Sequence, residues 1–336
     1  MKAIVCRKPG ELVIEERPEP KLAQGEVLVQ IRRIGICGTD YHIYEGTHPY
    51  LEYPRIMGHE LSAEVVESPE TSALKPGQIV VVNPYIACGA CIACRNGKPN
   101  CCVRIAVLGV HRDGGMCERI SVPEVNLYPA GSLSIDQAAS IEFLAIGAHG
   151  VMRSGLRTGS RALVIGGGPI GLGVAIFAKV AGGDVSIMDL DPARLSFATA
   201  ITGARSILAG NDDDAAVAEV TGGEGFDVVI DATGNTASME SAFGRVAHGG
   251  TLVFVSIVSD AISFPDPVFH KAEMTVMASR NALRSDFERV TAAVLSGIVP
   301  FDKLVTHRTT LEGAVNDLPH WTKHKQGLVK AMIDVC

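Results

Sequence analysis

Clustered positive charge is missing from this chain. Its 336 residues carry 30 Lys and Arg against 37 Asp and Glu, a net charge of −7. Nucleic acid and anionic membranes are therefore poor partners, because phosphate contacts need grouped cations. Long apolar runs are missing too. The longest uncharged stretch, Ala162–Ala178, holds five Gly and Pro169 and reads badly as a membrane span. Met1–Gly10 carries Lys2, Arg7 and Lys8 and no apolar segment of signal-peptide length. Internal repeats and low-complexity stretches are absent. These absences point to the cytoplasm, where nine Cys argue for metal or thiol chemistry over disulfides.

What is present is a globular composition, 47% hydrophobic and 20% charged, with length enough for about two domains. Residues 1 to about 140 read as short strands and turns: Lys2–Cys6, Leu12–Glu15, Glu26–Ile34, Glu60–Glu67 and Gln78–Val82. From about 145 to 280 strand and helix alternate, with strands expected at Arg161–Ile165, Val185–Asp189, Asp227–Asp231 and Thr251–Ser256. That alternation predicts α/β architecture with a parallel, doubly wound sheet. The tail from about 283 returns to mixed elements. Asp286–Ser296 reads as a helix, with Phe287, Val290 and Val294 at spacings of three and four.

Two motif groups carry chemistry. Cys88, Cys91, Cys94 and Cys102 form C-x2-C-x2-C-x7-C, with Cys101 as a spare. Four thiolates this close suit one closed, structural Zn²⁺ site, Gly89 and Gly97 allowing its tight turns. An iron–sulfur cluster takes the same number of thiolates. Further upstream, Cys37 in Gly35-Ile36-Cys37-Gly38-Thr39-Asp40 and His59 in Gly58-His59-Glu60 are ligand types of an enzyme zinc with an open position. The second group is Gly166-Gly167-Gly168-Pro169-Ile170-Gly171, which follows the apolar run Arg161–Ile165. In strand–turn–helix context this is a dinucleotide fingerprint, with the pyrophosphate at the helix N-terminus. Asp189 ends the next strand, where a carboxylate bonds ribose hydroxyls and repels a 2′-phosphate. No Arg follows it directly, so NAD is favoured over NADP. Asp191 before Pro192 suits a helix N-cap.

The ordered set of Cys37 segment, Gly58-His59-Glu60, four-Cys lobe and glycine fingerprint resembles the zinc-dependent medium-chain dehydrogenase/reductase family over nearly the whole chain. The resemblance implies a GroES-like β-rich catalytic domain with the zinc lobe (1–144), a Rossmann coenzyme domain (145–282) and a C-terminal segment (283–336) returning to the first. It implies two Zn²⁺ per chain. Cys37 and His59 would bind the catalytic one, Asp40 would hydrogen-bond His59, and Thr39 and His42 would relay the substrate proton. Where alcohol-dehydrogenase-like members have a third Cys ligand, this chain has Glu142, as in the sorbitol-dehydrogenase-like branch. There Glu60 and Glu142 can both approach the metal. Ala63 departs from a common Gly. Asp231-Ala232-Thr233-Gly234, Ser256 and Arg280 match positions near the cofactor.

Val110–Gly115, His248–Gly250, Phe269–Lys271 and Ser279–Ala282 resemble the group of L-galactonate-type dehydrogenases and starvation-sensing oxidoreductases. A polyol or sugar acid is thus the expected substrate, a hexitol the alternative, with Tyr44, His48, Tyr50 and His111 around the pocket. Arg280, Arg104 or Lys271 would meet a substrate carboxylate. A silent zinc- and NAD-binding regulator is the rival from another class; a complete proton relay argues against it. A zinc-free quinone reductase is disfavoured by the two zinc motifs. The apolar segment Thr251–Phe264, closed by Pro265 and Pro267, predicts a sheet edge that pairs with a second copy in a homodimer or homotetramer.

Overall fold

The computed structural model describes residues 1–48, 51–210 and 212–335. The chain divides into two compact units, Met1–Glu142 joined by the stretch from Leu283 onward, and Phe143–Ala282.

The first unit is built on a seven-stranded sheet. Its spatial order is Leu127–Pro129, Ile79–Val82, Glu60–Glu67, Glu26–Ile36, Lys330–Asp334 and Val305–Thr310, with Arg119–Pro123 also pairing on Glu26–Ile36. Along Glu26–Ile36 the side chains alternate, and Val27, Val29 and Ile31 are fully buried. Both of its long neighbours run antiparallel, with Gly35 opposite Glu60 and Ile36 opposite Ala331. A strand ending at Ile36, one starting at Glu60 and one starting at Lys330 therefore share one end of the sheet. The C-terminal strands are tied in by charge. Arg33 meets Asp136 at 2.7 Å and Asp334 at 2.9 Å, while Arg308 meets Asp334 at 3.1 Å and pairs with Asp136 as well.

The second unit is a six-stranded, wholly parallel sheet. Its order is Arg205–Leu208, Asp184–Asp189, Arg161–Ile165, Phe226–Asp231, Val246–Phe254 and Thr275–Ala278. Strand order reverses between Arg161–Ile165 and Phe226–Asp231, which creates the crevice where such sheets take nucleotides. Leu163, Val229, Leu252, Phe226 and Phe243 form the core on which the sheet rests.

Two expectations shift. The strand expected at Thr251–Ser256 runs Val246–Phe254, because Val246 pairs with Phe226 ahead of an irregularity in the ladder. It is also not an edge: Thr275–Ala278 pairs along it and is itself the outer strand. The tail helix spans Arg284–Leu295, with Phe287, Val290 and Val294 all buried as its spacing requires.

Candidate active site

The end of the first unit's sheet gathers Cys37, His59 and Glu60. One ligand atom from each lies within 4.8 Å of the others. Cys37 is the N-cap of helix Gly38–Glu45. Asp40, fully buried, accepts from Cys37 N at 2.9 Å and from Gly58 N at 3.1 Å. It thus ties together the two loops that carry Cys37 and His59. The bond expected from His59 to Asp40 is not made: Nδ1 stands 4.0 Å from Oδ1, beyond hydrogen-bond reach, while the carboxylate is anchored on those backbone amides.

Two residues the motifs did not reveal complete the cluster. Lys330, 2% exposed, donates from Nζ to Glu60 Oε1 at 2.6 Å, to Oε2 at 2.8 Å and to Ile36 O at 3.2 Å. Tyr85, also buried, donates its hydroxyl to Glu142 Oε1. The close packing has a sequence requirement. A Cβ at Gly35 would stand 2.1 Å from Glu60 Oε2, so only glycine lets that carboxylate lie across the strand.

These residues fit a divalent cation. Cys37, Asp40, Glu60 and Glu142 are acidic groups in one region, set against the buried cationic groups Lys330 and His59. Burial raises Asp40 and pushes Glu142 up to about 7, Glu60 adding to the push on Glu142. Burial alone would lower His59, but Cys37, Asp40 and Glu142 hold it well above its ordinary value. Its Nδ1 is buried without a hydrogen-bond partner. A bound dication would neutralise that surplus in one step, since it favours the deprotonated thiolate, carboxylate and imidazole.

Cys88, Cys91, Cys94 and Cys102 also come together within 4.8 Å. Sulfurs bound tetrahedrally to one zinc stand about 3.8 Å apart. Cys91 Sγ lies 3.5 Å from Cys94 Sγ and 3.9 Å from Cys102 Sγ. Cys101 is exposed and outside the group. Arg104, a candidate for a substrate carboxylate, serves this lobe instead: Nη2 donates to Cys88 Sγ and its backbone N to Cys102 Sγ, both at 3.4 Å. Bonds from the Ala90 backbone and Arg104 draw the Cys88 thiol down to about 5.

In the second unit, Gly168 caps the helix Pro169–Val180, with Pro169 in its first turn. A Cβ at Gly171 would meet Gly166 O at 1.7 Å, which explains the glycine there. Asp189 accepts from Gly167 N at 2.6 Å and from Asp191 N at 2.9 Å, so its carboxylate is fixed at the fingerprint loop. Asp191 caps the next helix by accepting from Ala193 N, as expected. Asp231, fully buried, accepts from Thr233 N, Thr233 Oγ1 and Ser238 Oγ and shapes its own loop. Ser256 is half-buried and Arg280 and Lys271 are exposed.

Of the other expected residues, Thr39 Oγ1 is 3.7 Å from Cys37 Sγ. His42 is exposed and shares a 3.2 Å contact with Thr47 Oγ1. His48 is half-buried; burial lowers it, and so do its neighbours His42, His111 and His59. Tyr44 is half-buried. Tyr50 lies outside the described residues.

The alcohol dehydrogenase GroES-like domain family matches residues 23–132, and the zinc-binding dehydrogenase family matches residues 169–296. The chain is 43% identical to L-galactonate-5-dehydrogenase of Escherichia coli K12 over 310 residues, 92% of this chain and 91% of that one. It is 32% identical to sorbitol dehydrogenase of Bacillus subtilis 168, covering 99% and 97% of the two chains. The crystal structure of an alcohol dehydrogenase, rspB of E. coli CFT073 with cofactor NADH, superimposes with a TM-score of 0.93 at 29% identity, over 99% of each chain. The chain belongs to the zinc-type medium-chain dehydrogenases, a family of zinc-dependent alcohol and polyol dehydrogenases.

Proposed function

We propose that this protein oxidises a secondary hydroxyl of a sugar acid of the L-galactonate type to the ketone, reversibly, with NAD as hydride acceptor. The observation that carries the reading is the cluster of half-buried Cys37 with buried His59 and Glu60, with Glu142 beside it. The similarity to an L-galactonate-5-dehydrogenase supports the substrate class. We assign metal chemistry to the first unit, where Cys37, His59 and Glu60 or Glu142 would hold the catalytic zinc, and coenzyme binding to the second. The zinc, when bound, supplies Lewis-acid polarisation of the substrate hydroxyl. Cys88, Cys91, Cys94 and Cys102 hold a second, structural zinc.

The chain's own groups do the rest. Thr39, beside Cys37, accepts the hydroxyl proton as it releases its own toward His42. His42, exposed and joined to Thr47, delivers it to water. Asp189 bonds the adenosine ribose and disfavours a 2′-phosphate. His48 and His111 present polar rings that suit a hydroxyl-rich substrate. The Thr275–Ala278 edge joins a second copy, giving a homodimer or tetramer.

The test is NADH formation with L-galactonate, L-gulonate, sorbitol, galactitol and L-threonine. L-galactonate is expected to give the highest kcat/KM. Preference for sorbitol or galactitol transfers the assignment to hexitol oxidation, which the similarity to sorbitol dehydrogenase favours. Zinc and NAD bound without turnover of any polyol or sugar acid refutes the enzyme reading in favour of a silent binding protein.

A further inference from the structure

The two carboxylates of the metal centre are held by different chemistry. Glu60 is gripped at both oxygens by an ammonium, Lys330, which cancels its charge. Glu142 is held at one oxygen by a neutral hydroxyl, that of Tyr85, which orients it without adding a charge. Tyr85 is in turn a fixed post. Its backbone N donates to Asn83 Oδ1 at 3.0 Å, and its carbonyl accepts from Asn126 Nδ2 at 3.2 Å. Its ring meets Phe287 edge-on, 6.4 Å between centroids. Strand Tyr85–Ile86 leads directly into Cys88, so the post stands at the root of the cysteine lobe.

We propose that Tyr85 is a positioning residue for the catalytic metal centre: it holds Glu142 by Oε1, so that a metal bound by Cys37 and His59 meets this carboxylate already oriented. The inference rests on the metal-centre reading above. A flexible glutamate ordered only on metal binding would lose side-chain freedom at that moment; one already fixed by a phenol does not. Partners that orient metal ligands typically contribute about 10–100-fold in metal affinity. The Tyr85 hydroxyl is such a partner, and 57 residues of chain separate it from Glu142.

The experiment is zinc release from the full chain against a graded chromophoric chelator. The release phase missing from Cys37→Ser identifies the catalytic site. Tyr85→Phe keeps the ring on Phe287 and removes only the donor. It is expected to weaken that phase about 10-fold or more and leave the lobe's phase unchanged. Glu142→Gln should weaken the same phase, and adding Tyr85→Phe to it should change little further, because the pair acts as one unit. Phe287→Leu loosens the post without touching the hydroxyl; a smaller loss in the same phase carries the proposal if Tyr85→Phe fails to fold. Wild-type release from Tyr85→Phe, or losses that multiply in the double variant, overturns the proposal. A wild-type chain that takes up zinc at the lobe alone overturns the metal-centre reading as well. Two zinc ions in the wild type with an unchanged Tyr85→Phe overturns this inference alone.

Discussion

Among the described residues Lys330 is the ammonium bound to both oxygens of Glu60, and its replacement exposes how the pair is balanced. Lys330→Met leaves Glu60 buried and uncompensated, with a predicted cost of about 3–5 kcal/mol. Urea denaturation of metal-stripped protein measures it; an unchanged midpoint would show that the Lys330–Glu60 pair does not stabilise the fold. Asp189 acts at the other site. Asp189→Ser removes the carboxylate proposed to exclude a 2′-phosphate, so the ratio of kcat/KM for NAD to NADP should fall toward one. Equal kcat/KM for the two coenzymes in the wild-type enzyme contradicts the ribose assignment. Neither Lys330 nor Tyr85 could be found from spacing. Cys88 to Cys102, or Gly166 to Gly171, meet through one local turn, and the sequence announces them. Lys330 meets Glu60 across 270 residues, through a strand pairing that nothing near either residue encodes. The one local hint is a lysine heading an apolar strand, Lys330–Asp334.

At the scale of elements, the lobe and the ion-pair network make separate predictions. Structural zinc contributes folding free energy directly. Cys91→Ser should therefore open the segment from Cys88 to Cys102 to proteolysis while NAD binding persists. Protection equal to the wild type would argue that the thiols hold no metal. In the network, burial raises Asp136, but Arg308 and Arg33 outweigh it, and its pKa is lowered overall. A lowered carboxyl pKa adds stability above the unfolded value, near 3.9, that is lost as pH falls through the lower folded value. Asp136→Asn should thus cost about 1 kcal/mol at neutral pH, less in high salt, and nothing in strong acid. Thermal melts across pH and salt check it; a cost independent of both assigns the effect to packing. The parallel sheet was legible because apolar runs alternate with helical ones, whereas its outer strand was misjudged. Thr251–Phe254 is apolar because it lies between two strands, and Thr275–Ala278, short and partly exposed, gives a weaker pattern for the true edge.

For the whole molecule, Thr275–Ala278 has no strand on its outer side among the described residues, and the proposed pairing with a second chain would cover it. Light scattering at micromolar concentration should give a multiple of 35.4 kDa. A mass of one chain removes the proposed pairing. Thr275→Pro, which cannot donate along an added ladder, should then yield monomers that still bind NAD.

The strand that begins at Lys330 also sets an order of events in the cell. Cys37, His59, Glu60 and Glu142 leave the ribosome first, and the whole second unit, Phe143–Ala282, is made before their unit is finished. At the usual pace of synthesis, Lys330 follows Glu60 by roughly 15–50 s. For that interval the centre has its acids without their ammonium, and the Arg33–Ile36 end of the long strand lacks the partner that covers it in the finished fold. A chain stalled before Lys330 carries Cys37, His59, Glu60 and Glu142 and still lacks the ammonium that grips both oxygens of Glu60 in the finished fold.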